Sequence, residues 1–305
     1  MNIDFVASRK TFYGISLLLV LTSLFLVFQK GINFSVEFRS GSILKVHFNE
    51  TNVTKPEIEA ILATGEFAQK FVQPTVVETS STNLQGGAGK EFQITSGFIM
   101  DKANETEADR LLELELQKKW PSATALEFVN IGPTIGEDLK EAALVSVFLS
   151  ILVVLVYLGV RFDKRNAVVA VVGVTQVVVI VLGVFALIQE EFSSATIAAF
   201  LALIGYALND TIIIFDRIRE NVKFMRREKI EVVINASINQ TLGRTIKTSL
   251  TTFLPVLTMF YFGGSGLHSF SLVMLMGLIV GTYTSICQSA TVLVDWEASP
   301  EVQEE

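Results

Sequence analysis

One acidic residue, Asp210, stands deep inside an apolar stretch, in Ile204-Gly205-Tyr206-Ala207-Leu208-Asn209-Asp210-Thr211. An ionisable group in hydrocarbon is costly and marks a functional position by default. A carboxyl in that setting is suited to taking up and releasing a proton near neutral pH. Tyr206 lies four residues earlier and so shares a helix face with Asp210, with Asn209 beside them. Arg244 is the expected ion partner, because a guanidinium keeps its charge. Arg244, Thr248, Thr251 and Thr252 follow one another at helical spacing, with hydroxyls that can satisfy backbone carbonyls or hold water. Pro255 then breaks the hydrogen-bond ladder, which suggests a kink or hinge. Gln176, next to Thr175 in another apolar run, is a further candidate for lining the path. The plainer readings are a structural carboxyl paired with a helix-end arginine, an Arg244 that snorkels to the interface, and a Gln176 that glues helices together.

Other polar features carry less chemistry. His47 and His268 are far apart, and the single cysteine, Cys287, sits in an apolar run. Those residues offer neither a metal-ligand set nor a disulfide framework. Gly277 and Gly281 have the spacing of close helix packing. Thr282, Tyr283, Thr284, Ser285, Gln288 and Ser289 make the same stretch polar, so one side is expected to meet protein or water.

The elements that must hold these residues follow from composition. Half of the 305 residues are hydrophobic and only 18% are charged, against roughly a quarter charged in an average soluble domain. Six apolar stretches approach the ~20 residues a crossing helix needs: Thr11–Phe28, Ala142–Val160, Ala167–Ile188, Ser193–Phe215, Thr248–Phe262 and Phe270–Val294. Gln29-Lys30-Gly31 after the first offers no small-x-small cleavage site, so an uncleaved anchor is expected. Thirteen Lys and Arg fall in the N-terminal arm and in the connections after the second and fourth stretches, and none in the short loops opposite. Both termini are therefore expected to be cytoplasmic. The basic stretch Arg217–Lys229 with Ile230–Leu242 reads as an amphipathic helix suited to anionic headgroups.

The long segment between the first two spans has globular composition. From Lys30 to Glu141 it carries 11 basic and 17 acidic residues, which argues against nucleic acid as its partner. Ser42–Phe48 alternates as a strand. Thr54 and Glu57 form a capping box around Pro56 at a helix start. Strands are expected at Phe71–Thr79, Glu91–Ser96 and Ala123–Ile131, with an amphipathic helix over Asn104–Trp120. The order β-α-β-β-α-β predicts a ferredoxin-like domain. The expected fold is a polytopic α-helical membrane protein with six transmembrane helices and one extracytoplasmic α+β domain. Its parts are residues 1–29 (N-terminus and helix 1), 30–141 (outer domain), 142–294 (helices 2–6, with a basic cytoplasmic loop at 216–247) and 295–305 (acidic tail).

Four segments, in order along the chain, resemble the SecD/SecF family of protein-export subunits. They are Ile131-Gly132-Pro133-Thr134-Ile135-Gly136, the stretch from Gly205-Tyr206-Ala207-Leu208-Asn209-Asp210-Thr211 to Phe215-Asp216-Arg217-Ile218-Arg219-Glu220-Asn221, Asn239-Gln240-Thr241-Leu242-Gly243-Arg244-Thr245-Ile246-Lys247-Thr248-Ser249-Leu250-Thr251-Thr252, and Gly281-Thr282-Tyr283-Thr284-Ser285-Ile286. The resemblance implies an RND-superfamily fold in the bacterial inner membrane and a complex with SecD. It also implies accessory work on the SecYEG channel, with YajC and YidC as further candidate partners and unfolded exported polypeptides as cargo. No enzyme activity and no cofactor are implied; the proton-motive force is the energy source, and Asp210 and Arg244 match positions implicated in proton movement. The rival readings are a non-conducting assembly subunit of the Sec complex and an RND-type exporter. Two segments depart from the family pattern. Ser35-Val36-Glu37-Phe38-Arg39-Ser40-Gly41 has lost a glycine, which suggests altered turn geometry, and Thr175-Gln176 replaces a His-Asp pair.

Overall fold

The computed structural model describes residues 3–50, 52–63, 74–79, 89–97 and 112–297. In chain order its elements are α1 (Arg9–Lys30), α2 (Val36–Arg39), β1 (Gly41–Phe48), α3 (Lys55–Leu62), β2 (Thr75–Thr79), β3 (Lys90–Ser96) and α4 (112–119). Then come β4 (Thr124–Ile131), α5 (Pro133–Arg161), α6 (Lys164–Ile188), α7 (Ser194–Phe224), α8 (Ile230–Phe262), α9 (Ser265–Tyr283), a π-helical turn (Thr284–Ser289) and α10 (Ala290–Glu297). The chain divides into two compact units, Phe34–Leu144 with Phe260–His268, and the remainder.

The first unit is built on an antiparallel sheet of order β2-β3-β1-β4. Alternation puts Leu44, Val46 and Phe48 of β1 on one face with Phe92 and Ile94 of β3, and the same core takes in Ile58 and Leu62 of α3 and Leu112 and Leu116 of α4. Phe48 stacks edge-on against Phe92 and Trp120, with ring centroids 5.7 and 5.4 Å apart. At the start of α3, the Glu57 carboxylate accepts from the Thr54 N–H (3.2 Å) and hydroxyl (2.8 Å), closing the expected box. The expected strand residues 71–73 and helix residues 104–111 lie outside the described residues.

The turn that lost its glycine keeps a backbone suited to one. Ser40 adopts φ +67° with ψ 135°, a region that costs a side-chain-bearing residue about 1–3 kcal/mol. It abuts Gly136, where a methyl would lie 2.9 Å from Ser40 Oγ and 3.3 Å from the Phe38 carbonyl. The Ser35–Gly41 and Ile131–Gly136 segments therefore fit against one another, and Gly136 is the residue that allows it.

Among the described residues, five helices are long and apolar enough to cross a membrane: Arg9–Lys30, Thr134–Arg161, Lys164–Ile188, Ser194–Phe224 and Gly266–Trp296. The remaining expected span, Thr248–Phe262, is the end of α8. That helix starts at Ile230, so the stretch expected as an amphipathic helix and the stretch expected as a span form one continuous rod. The 216–247 segment, expected as a loop, is the end of α7, a short turn and the start of α8. Val233, Ile234, Ser237, Ile238 and Thr241 are the buried stripe of α8. Asn221 of α7 donates to Ser237 Oγ (2.8 Å) and Gln240 Oε1 (2.9 Å) and clamps the two helices together.

Helix packing uses small residues, as hydrocarbon requires, because apolar side chains gain little by leaving lipid for one another. The buried positions of α1 are Ser16 and Ser23, two turns apart on one face, while Leu17, Leu18, Leu21, Phe25 and Phe28 are exposed. Gly183 of α6 receives Ser23, Gly277 of α9 receives Leu203 of α7, and a methyl at Gly281 would lie 3.5 Å from the Ala207 methyl. Arg9 Nε and the Tyr13 hydroxyl both donate to the Asp295 carboxylate, at 2.9 and 3.0 Å. The start of α1 and the end of α10 thus meet at one end of the bundle.

Candidate functional site

Asp210 is buried in the middle of α7. Its Oδ2 accepts a hydrogen bond from Ser249 Oγ of α8 at 3.1 Å, and Ser249 Oγ lies 2.9 Å from Thr282 Oγ1 of α9. The Thr248 and Thr282 hydroxyls also interact with the carboxylate. One carboxyl therefore ties three helices together. One residue further along α7, Thr211 Oγ1 meets Ser285 Oγ at 2.8 Å, and Ser285 Oγ also donates to the Ala207 carbonyl at 3.4 Å. Ser285 belongs to the π-helical turn, a distortion common at functional sites. Every one of these partners is a hydroxyl, which can donate to a carboxylate and accept from a carboxylic acid.

The expected ion pair is not formed. Asp210 and Arg244 share no salt bridge among the described residues, and Arg244 is exposed. The reason is position along the helix. Arg244 stands a full turn or more before Thr248 and Ser249, the α8 hydroxyls that meet the carboxylate, about 6–7.5 Å from them along the axis. Of the hydroxyls that follow, Thr251 and Thr252 donate to the carbonyls of Lys247 (2.7 Å) and Thr248 (3.3 Å) on their own helix. Thr248 likewise reaches the carbonyls of Arg244 and Thr245.

The other predicted companions disperse. Tyr206 and Asn209 are exposed, although Tyr206 was expected to share the buried face of Asp210. Gln176 is buried, and its Nε2 has no partner among the described residues. The neighbouring Thr175 is exposed and bonds the Val171 carbonyl. Pro255 sits inside α8, which runs through it. Ser249 carries no sequence signal because it stands in a run of hydroxyls with no mark of which one faces the carboxyl, and Thr211 because nothing local marks a partner on another helix. Thr282 and Ser285 had a signal, the polarity of their span, but no assigned role.

Comparison with known proteins gives this geometry a family. The model of "Protein export membrane protein SecD/SecF, C-terminal" matches residues 112–299. The chain belongs to the SecD/SecF family. The protein translocase subunit SecF of Dictyoglomus turgidum is 36% identical over 288 residues, 94% of this chain and 94% of that relative. The protein translocase subunit SecDF of Thermus thermophilus is 36% identical over 301 residues, 99% of this chain and 39% of its own length. The crystal structure of SecDF, a translocon-associated membrane protein from Thermus thermophilus, superimposes with a TM-score of 0.83 at 33% identity, over 98% of this chain and 39% of SecDF. SecDF in its super-membrane-facing form gives 0.71 at 34% identity, over 100% of this chain and 40% of SecDF. The chain spans about two fifths of these SecDF relatives, and the SecD/SecF match takes in Asp210 with all of its hydroxyl partners.

Proposed function

We propose that this chain is an export subunit of the Sec translocase that works with SecD and uses the proton-motive force to drive late stages of polypeptide translocation through SecYEG. In this reading it crosses the bacterial inner membrane six times, α8 supplying the extra crossing, with both termini cytoplasmic. The α+β unit is then an extracytoplasmic, ferredoxin-like domain; its β-α-β-β-α-β order and sheet order support that reading. The pairing with SecD is supported by the match to SecDF relatives more than twice as long as this chain.

One observation carries the proton role: a buried carboxyl in an apolar span whose partners are neutral hydroxyls on two other helices. With no cation to release, Asp210 can gain and lose a proton while its hydroxyls reverse their hydrogen bonds. The change still has mechanical consequence. A hydrogen bond to a charged group is worth about 1.5–3 kcal/mol and a neutral one about 0.5–1.5, so protonation loosens the tie from α7 to α8. Each proton that falls through 100 mV supplies about 2.3 kcal/mol, enough to bias such a tie. Arg244, exposed on α8 a turn before Thr248, acts in this account on water or on a partner helix and not on Asp210 directly. Pro255, which leaves the Thr251 carbonyl without its usual donor, is the hinge of α8 in this account.

The test is export in cells carrying Asp210→Asn and Asp210→Glu, with membrane level and SecD co-purification followed in parallel. Asp210→Asn should assemble normally and lose the export that the proton-motive force stimulates, and Asp210→Glu should keep part of it. Normal export at normal complex level would end the proton role. Loss of the complex itself would make Asp210 a structural residue and the chain an assembly subunit.

A further inference from the structure

The segment before α1 is gripped by its main chain, and the grip comes from α8. The Asn239 carboxamide accepts from the Ile3 N–H at 2.9 Å and donates to the Ile3 carbonyl at 2.8 Å. One turn earlier on α8, Asn235 Oδ1 accepts from the Phe5 N–H at 2.9 Å. The spacing explains the fit. Positions four apart on a helix lie about 6 Å apart along its axis, and alternate residues of an extended chain lie about 6.6–6.8 Å apart. Asparagines at i and i+4 can therefore meet every second residue of an extended segment that runs against the helix. Asparagine suits caps and turns better than a helix interior, so the pair does nothing for α8 itself. The side chain of Ile3 is exposed, whereas Phe5 and Val6 are 6% and 5% exposed.

We infer that Asn235 and Asn239 form a binding site for an extended polypeptide main chain, and that residues 3–5 fill it in cis as a strap. Because the site meets N–H and C=O groups, it is indifferent to the side chain at position 3; Phe5 and Val6 supply the apolar anchor. At the other end of the strap, Arg9 Nη1 donates to the Val6 carbonyl at 3.1 Å while its Nε donates to Asp295 of α10. The strap therefore joins α8 to α1 and α10, whereas the Asp210 cluster joins α8 to α7 and α9. Asn239 and Ser249 are ten residues apart, about 15 Å along the rod, so α8 is held at two separate points. The filled site stands on these contacts alone; its use as the pivot of α8 when Asp210 takes a proton rests on the function proposed above.

The experiment uses the full chain purified in detergent, where both faces are open to reagent, with Cys287→Ser removing the only cysteine. Val6→Cys places a thiol at the buried anchor and Ser8→Cys places one at an exposed position; the rate of reaction with a maleimide is measured for each. Reaction at the anchor waits on local opening, so Val6→Cys should react at least about tenfold more slowly than Ser8→Cys. Asn235→Ala together with Asn239→Ala should remove most of that difference. Ile3→Pro, which deletes the N–H that Asn239 accepts, should speed Val6→Cys several-fold, whereas Ile3→Ala should leave its rate unchanged. The strap itself is followed by hydrogen exchange. Ile3→Pro should speed exchange several-fold over residues 230–240 of α8 and leave residues 194–210 of α7 as they were. Rapid reaction of Val6→Cys with both asparagines in place, or slow reaction indifferent to their removal, overturns the site. Equal effects of Ile3→Ala and Ile3→Pro overturn the main-chain recognition, and unchanged exchange in α8 overturns the strap. Export and proton flux play no part in these readouts, so failure here and failure of the proton role are separate results.

Discussion

Adding one methyl group at each of two glycines should have opposite effects, because the two meet different surroundings. At Gly183 a new Cβ would lie 2.6 Å from Ser23 Cα, and closer still to the Ser23 side chain. Carbon atoms pack best at 3.5–4.0 Å, so α1 and α6 would have to separate by about 1 Å. Backbone cannot yield as a flexible side chain can, and overpacking of this kind costs about 1–3 kcal/mol. At Gly205 of α7 the new Cβ meets nothing within 4 Å, so Gly205→Ala should gain the helix propensity alone, about 1 kcal/mol. Gly183→Ala gains the same propensity and suffers the clash, which makes the difference between the two variants about 1–3 kcal/mol. Cys287 is half-buried and unique, so thermal unfolding of the purified protein can be followed by the reaction of its thiol with a fluorogenic maleimide. Gly183→Ala should melt several degrees below Gly205→Ala. Equal midpoints would refute the claim that α1 is held by small-residue contact with α6.

Two further outcomes concern the α+β unit. Ser40→Gly should stabilise it by about 1 kcal/mol, since relief of about 1–3 kcal/mol of backbone strain exceeds the extra entropy glycine loses on folding, about 0.5–1 kcal/mol; the fluorescence of Trp120 in a Trp296→Phe background reports the midpoint, and an unchanged or lower value contradicts the strain. The Thr54 hydroxyl, then Lys119, hold the Glu57 carboxyl below its ordinary value. A lowered folded value means the contribution to stability is complete above the unfolded value and disappears as pH falls through the folded one. Hydrogen-exchange protection of α3 should therefore decline below the ordinary glutamate range in the native protein, and Glu57→Gln should remove that dependence.

The features legible in the sequence are those whose signals are local. Alternation at Leu44, Val46 and Phe48 and the pairing of Thr54 with Glu57 lie within a few residues and are realised as read. Asp210 stands out because nothing else in its span is charged. Helix length was less legible: hydropathy falls at Glu137–Glu141 and before Thr248, yet α5 begins at Pro133 and α8 at Ile230, since backbone hydrogen bonds continue whether or not the side chains are apolar. Of the hydroxyls on Asp210, only Thr248 was legible. Which face of α8 turns toward α7 depends on the rotation of a whole rod about its axis, fixed by contacts such as Asn221–Ser237 far along the chain. That rotation brings Thr248 and Ser249 to the carboxyl and leaves Arg244, a turn earlier, exposed. At Ser40 a missing glycine implied a changed turn, whereas the surrounding packing enforces the glycine-like backbone and leaves the strain in the serine.

The central claim is that Asp210 moves protons, and its most direct measurement is proton flux. The chain would be reconstituted with SecD in vesicles containing a pH-sensitive dye, and an imposed pH gradient applied to the native protein and to Asp210→Asn. The account predicts gradient-driven acidification of the lumen with the native protein, reduced to the protein-free leak in Asp210→Asn. Equal flux in the two would contradict it.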